Sequence, residues 1–223
     1  MTRYKPELAL GAILLALFLA VCHWQAPGRA LTQNEINTYV RQIDQLAPMP
    51  ATEKAEFLAH LRAWGEADDG KPVYMVNLMR YYDKLKPWPG VDIPAASPAE
   101  ANAYYENAVT RMALVGGLQM TVGSNTQGVR RAAPPSTNLF GHEPTVENWS
   151  RVLVVRYPCR RAFFELVSNP EYLEVMPYKF AALNLALIPT DGATITPDLR
   201  LLAGAIALMI FLAFGWIRSA RRR

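Results

Sequence analysis

Pro72-Val-Tyr-Met-Val-Asn-Leu-Met-Arg80 is the stretch whose reading decides the fold. It is rich in β-branched and aromatic residues and follows the turn-like Asp69-Gly70-Lys71, which predicts a strand. Toward the C-terminus, residues 81–96 carry Pro87, Pro89, Gly90 and Pro94 and read as a loop. Ser97 then caps a helix, with Pro98 at its first position and Glu100 completing a capping box. Ala101, Tyr104, Tyr105, Ala108, Met112 and Val115 give that helix one apolar face, and Gly116-Gly117 stops it. A second strand is expected from Leu118 to Ser124, a long polar connection from Asn125 to Asn148, and a valine-rich third strand from Trp149 to Tyr157. A helix from Arg160 to Val167 restarts at Asn169-Pro170 and is expected to bend at Pro177, before a last strand from Asn184 to Ile188.

The order over residues 70–190 is β-α-β-β-α-β, which predicts an α+β domain of the ferredoxin-like arrangement. Two crossover helices cover one face of such a sheet. The other face is apolar as well, so a second copy of the chain is expected against it, giving a homodimer. On the N-terminal side, residues 31–68 read as a helical pair. Thr32 and Glu35 form a capping box, Ile36, Tyr39, Val40, Ile43 and Leu46 recur at helical spacing, and Pro48 and Pro50 separate this helix from one over Thr52–Glu66 that buries Phe57, Leu58, Leu61 and Trp64. The pair would serve as a stalk or as a cover for the domain.

Farther out, both ends of the chain are apolar. Leu8 to Cys22 has no charge, and Tyr4 and Trp24 bracket it as interfacial aromatics do. From Tyr4 to Trp24 a helix covers about 30 Å, the thickness of a hydrocarbon core. Leu201 to Ile217 is closed by Arg200 and Arg218. Transmembrane helices are therefore expected over residues 7–24 and 199–217. Arg3 and Lys5 precede the first run while Arg218, Arg221, Arg222 and Arg223 follow the second, so both termini should be cytoplasmic. The domain between would lie outside an inner, cytoplasmic membrane in a two-pass arrangement. A cleaved signal peptide competes for the first run, but Pro27 follows Ala26 and spoils that cleavage site. Leu19-Ala20-Val21-Cys22 is close to a lipoprotein box, with Val21 where that pattern wants a small residue.

The net charge of +4 comes from the ends, because residues 23–198 hold 16 basic and 18 acidic side chains. Nothing there suits a phosphate backbone, so no nucleic acid is expected as a partner; the basic tail suits the lipid bilayer. Cys22 and Cys159 make no disulfide framework. His60 has no histidine or cysteine at ligand spacing and His23 belongs to the membrane edge, so no metal site and no cofactor are expected. Glycine-rich phosphate loops, a Gly-x-Ser-x-Gly elbow and a Cys-x-x-Cys pair are absent from the sequence, which removes the enzyme classes built on them.

The residues Pro72–Met79, Tyr104-Tyr105, Gly116-Gly117, Trp149 and Tyr157-Pro-Cys-Arg-Arg-Ala-Phe-Phe-Glu-Leu-Val-Ser-Asn-Pro-Glu-Tyr172 resemble the small bacterial domains of unknown function in the dimeric α/β-barrel superfamily. That superfamily also holds antibiotic-biosynthesis monooxygenases, muconolactone isomerases and haem-handling proteins. The resemblance implies paired sheets that close a barrel able to hold a small molecule, and it transfers no catalytic residue. Flanking spans, the helical pair and the long 125–148 connection depart from those soluble domains.

Strand alternation groups Met75, Asn77 and Met79 on one face, with Gln119 and Thr121, Val154 and Arg156, and Asn184 and Ala186 as companions on the other strands. Asn77, Gln119, Arg156 and Asn184 would then orient a small polar or acidic ligand inside the barrel, or simply bond one another. His142, beside Glu143 in the long connection, is the candidate base over the barrel mouth, against an ordinary solvated loop histidine. Tyr104, Tyr105, Trp149 and Tyr172 could line a pocket or form core. Two functions are compatible with these features: a membrane-anchored module that binds a small molecule or an envelope partner, and a cofactor-independent monooxygenase or isomerase for a small aromatic or quinone-like substrate.

Overall fold

The computed structural model describes residues 4–26, 28–127, 137, 148–191 and 199–221. In chain order the elements are α1 (Lys5–Trp24), α2 (Gln33–Leu46), α3 (Ala51–Glu66), β1 (Val73–Tyr81), α4 (Pro98–Val115), β2 (Gln119–Asn125), β3 (Arg151–Tyr157), α5 (Arg160–Ser168), α6 (Pro170–Ala182), β4 (Leu183–Thr190) and α7 (Leu199–Ala220). They fall into two units, one made of Met1–Ala26 with Ala193–Arg223 and the other of Pro27–Gly192.

The larger unit is mixed α and β around a four-stranded antiparallel sheet of order β2-β3-β1-β4. β1 alternates strictly, burying Val73, Met75, Asn77 and Met79 while the residues between them stay half-exposed. Directly opposed residues share a face, so Met75, Asn77 and Met79 stand with Val155, Leu153 and Arg151 of β3 and with Pro189, Leu187 and Leu185 of β4. In β2 a bulge between Met120 and Val122 leaves Thr121 unpaired, and its hydroxyl donates to the Val154 carbonyl at 3.0 Å.

Helices α4, α5 and α6 roof the face that holds Asn77. Ser97 caps α4 by accepting from the Glu100 amide at 3.2 Å, and Asn169 caps α6 by accepting from the Glu171 amide at 2.9 Å. α6 runs from Pro170 to Ala182 with Pro177 inside it and fully buried. One expectation for these helices fails. On α4 the buried side carries Ala101, Asn102 and Tyr105, whereas Tyr104 and Val115 are exposed. Tyr104 finds its partner outside the core, tilted against the Tyr178 ring at 4.5 Å.

The helical pair shares the core of the α/β layer. Ile36, Val40, Ile43 and Leu61 belong to one buried cluster with Tyr157, Phe163, Phe164 and Leu173. Phe164 is fully buried between the rings of Tyr39 and Trp64, at 5.8 and 6.0 Å. Polar contacts fix the same seam. Arg161 reaches from α5 to both Glu35 oxygens at 2.6 and 3.1 Å, while Arg160 donates to the Trp64 carbonyl at 2.6 Å. Arg161 first, then Arg29, hold the Glu35 carboxyl far below the usual carboxylate range.

In the smaller unit α1 and α7 are long and apolar enough to cross a membrane, and neither buries a residue in the chain. They pack antiparallel through two reciprocal contacts. The Phe211 ring of α7 lies on Gly11, where a β-carbon would come within 3.3 Å, and the Phe18 ring of α1 lies on Gly204, where it would come within 3.2 Å. Near the chain ends Arg218 pairs with Glu7 at 2.8 Å.

Phe164→Ala should destabilise the larger unit by about 3–5 kcal/mol, the cost of emptying a fully packed aromatic site, and should loosen the helical pair with it. Urea unfolding of the detergent-solubilised protein, followed by tryptophan fluorescence, measures this; a loss below about 1 kcal/mol would mean the pair is not built on that ring.

Candidate functional site

Between the sheet and its helical roof lies a chamber of about 230 Å³. Its walls are mainly apolar, with Met75, Met79, Leu153, Val155 and Leu187 from the sheet and Val109 and Ala113 from α4. Thr110, Leu114 and Met120 line it and are exposed, so the mouth opens between the C-terminal half of α4 and the outer strand β2. Packed interiors rarely leave voids larger than a water molecule, and an apolar chamber with a few convergent polar groups is the usual form of a small-molecule site.

Lys179 is the central polar group. It sits on the buried face of α6, 6% exposed, and its ammonium donates to Asn77 Oδ1 at 3.2 Å. Asn77 is held for this role by its own amide nitrogen, which donates to the carbonyls of Met75 at 3.1 Å and Leu153 at 3.3 Å and so turns Oδ1 toward the lysine. The ammonium also stands 5.2 Å from the centre of the Tyr105 ring, within cation–π range. Burial lowers the Lys179 pKa to about 8, with Glu106 opposing that shift and Arg151 adding to it.

Glu106 and Arg151 bond each other across α4 and β3, and Asn102 adds a donor to Glu106 at 3.1 Å. Farther along the chamber the Tyr105 hydroxyl donates to that of Tyr172 at 3.3 Å, with the rings edge-on at 6.0 Å. Burial raises the pKa of Tyr105, Tyr157 and Tyr172, so all three stay protonated hydrogen-bond donors near neutral pH. The chamber can therefore hold an apolar body and engage an oxygen on it from a cation or a phenol.

The four proposed ligand residues do not converge. Asn77 faces the chamber. Arg156 pairs with Tyr74 on one side and Gln119 on the other, and Asn184 pairs with Arg80, which puts Gln119, Arg156 and Asn184 on the opposite face of the sheet. The grouping failed by one residue of phase, enough to turn a strand's side chains to the other face. Tyr105 and Tyr172 line the chamber as expected of a pocket, while Tyr104 and Trp149 do not. His142 lies outside the described residues. His23 and His60 are exposed, and among the described residues no three His, Cys, Asp or Glu side chains gather as a metal site would need. Lys179, Glu106 and Arg151 were missed; the one available signal was a lysine inside the otherwise apolar run Val175-Met-Pro-Tyr-Lys-Phe-Ala-Ala182.

No protein-family model matches this chain, and no curated protein matches it. Among solved structures, that of the methylated RPA0582 protein is similar at a TM-score of 0.50 and 24% identity, over 67% of this chain and 97% of that one. A second structure, of an RPA0582 protein of unknown function from Rhodopseudomonas palustris, gives a TM-score of 0.49 at 24% identity, over 63% of this chain and 94% of that one. At this identity the first likeness speaks to the fold alone.

A lysine whose folded pKa of about 8 lies below its ordinary 10.5 costs stability while it is charged, so the cost is full below pH 8 and fades as pH rises to 10.5. Lys179→Met should thus be more stable than the parent at pH 7, by on the order of 3 kcal/mol, and the gap should close by about pH 10.5. Paired urea titrations at several pH values measure it, and a gap that stays constant with pH would contradict the buried-ammonium account.

Proposed function

We propose that the chain is a two-pass inner-membrane protein whose extracytoplasmic domain binds a small, mainly apolar molecule in the chamber between its sheet and helices. The chamber carries the reading: about 230 Å³ of space with apolar walls, an open mouth and polar groups on one side is costly to maintain unless something occupies it. For the membrane part, the support is the pair of apolar helices with reciprocal phenylalanine–glycine packing, since close approach at small residues is how helices associate in lipid. Arg3 and Lys5 at one end and Arg218, Arg221, Arg222 and Arg223 at the other favour cytoplasmic termini.

The strand order β2-β3-β1-β4, with helices following β1 and β3, supports a ferredoxin-like domain of the dimeric α/β-barrel kind. The face of the sheet away from the chamber presents Val76, Leu78, Val152, Val154 and Ala186 half-buried and Ile188 exposed. A second copy stacked on that face makes the homodimer. A catalytic reading, as a cofactor-independent monooxygenase or isomerase for a small aromatic or quinone-like substrate, draws on one observation. Lys179, with its pKa near 8, can take up or release a proton close to neutral pH beside the chamber.

Native mass spectrometry of the full-length protein tests the binding reading. The parent should retain a small adduct, and Ala113→Phe, which fills the chamber from α4, should lose it while folding normally. An adduct of equal occupancy in both proteins would place the ligand elsewhere. Reporter fusions after Ala30 and at the C-terminus should score as extracytoplasmic and cytoplasmic respectively, and the reverse pattern would reject the orientation.

A further inference from the structure

We infer that the chamber is selective for a small monoanion with an apolar body, such as an aromatic or medium-chain carboxylate, whose acidic oxygen pairs with the Lys179 ammonium. This rests on the chamber being a ligand site and adds the charge of what it takes.

The inference follows from the charged groups facing the space. Among the described residues three line it: Lys179 from α6, Glu106 from α4 and Arg151 from β3. Glu106 and Arg151 bond each other, so their charges largely cancel at the lysine, where one raises and the other lowers its proton affinity. Lys179 makes no ion pair among the described residues; its partners are the neutral Asn77 amide and the face of the Tyr105 ring. An ammonium has three donors, and only one is used by Asn77. Among the described residues the chamber therefore carries one unneutralised positive charge in an apolar, almost fully buried setting. Such a charge is unfavourable alone and much improved by a counter-ion with good geometry.

Size sets the other bound. Roughly 150 Å³ of apolar cavity is enough for benzene, so a chamber of about 230 Å³ admits a substituted benzoate or a comparable aliphatic acid. The remaining titratable groups that face it among the described residues are Tyr105 from α4, Tyr157 from β3 and Tyr172 from α6, all held protonated by burial. Among the described residues no other carboxylate lines the chamber to compete with the ligand. Affinity for an acid should therefore follow the protonation of Lys179, strong below about pH 8 and weaker above it.

The test is calorimetric titration of the full-length protein in zwitterionic lipid nanodiscs with 4-ethylbenzoate and with the uncharged 4-ethylbenzyl alcohol, corrected for empty nanodiscs. At pH 7 the parent should bind the acid at least about tenfold more tightly than the alcohol, and that preference should shrink by about tenfold or more at pH 9.5. Lys179→Met should lose the preference but keep the alcohol, and Ala113→Phe should lose both. If the parent binds the alcohol as well as the acid, the charge inference is overturned and the chamber reading stands. Failure of both probes to bind would overturn the two together. A preference that survives in Lys179→Met, or that is flat with pH in the parent, also rejects Lys179 as the anchor, and the pH profile needs no variant to fold.

Discussion

The alternation of side chains along β1 is the constraint on which the larger unit is built. As an inner strand, bonded to β3 on one side and β4 on the other, β1 must send every second residue into the space beneath the helices. Val73, Met75 and Met79 make that floor apolar, and Asn77 interrupts it with one amide. Because the Asn77 amide nitrogen is tied to two strand carbonyls, its oxygen is a fixed acceptor, and Lys179 of α6 is placed against it. Floor, roof and polar pole of the chamber are thus joined through a single strand position.

Much of the fold could be read from local chemistry. Ser97-Pro98, Asn169-Pro170 and Thr32 with Glu35 mark helix starts by side-chain acceptors for free amides, and those bonds form as such sequences require. The valines of β3 and the apolar alternation of β1 likewise report strands. What local chemistry does not carry is phase between distant strands. Asn184 falls opposite Arg80 because β4 begins at Leu183, and nothing in residues 183–190 fixes that register. With the phase unknown, Arg156 and Gln119 could be grouped with Asn77, although backbone pairing sets them on the other surface of the sheet.

The site was harder to read than the fold because its members come from separate elements. Lys179, Glu106 and Arg151 sit on α6, α4 and β3, and their spacing in the chain has no motif. Only the assembled layer makes one of them a cation without an ion pair among the described residues and the other two a pair. The helical pair α2–α3 belongs to the same lesson. Its amphipathic spacing says that it packs on something, but that the something is α5, through Phe164, Arg160 and Arg161, depends on contacts more than 90 residues apart.

The antiparallel packing of α1 on α7 has a consequence for the domain strung between them. Since Phe18 meets Gly204 and Phe211 meets Gly11, the exit of α1 and the entry of α7 lie at the same end of the hairpin. Wherever the α1–α7 pairing outlasts unfolding of the residues between, the intervening chain stays a closed loop, in the way a cross-linked chain is. Closing a loop of this length removes on the order of a few kcal/mol of entropy from the unfolded ensemble, so a hairpin that stays paired is a staple without sulfur.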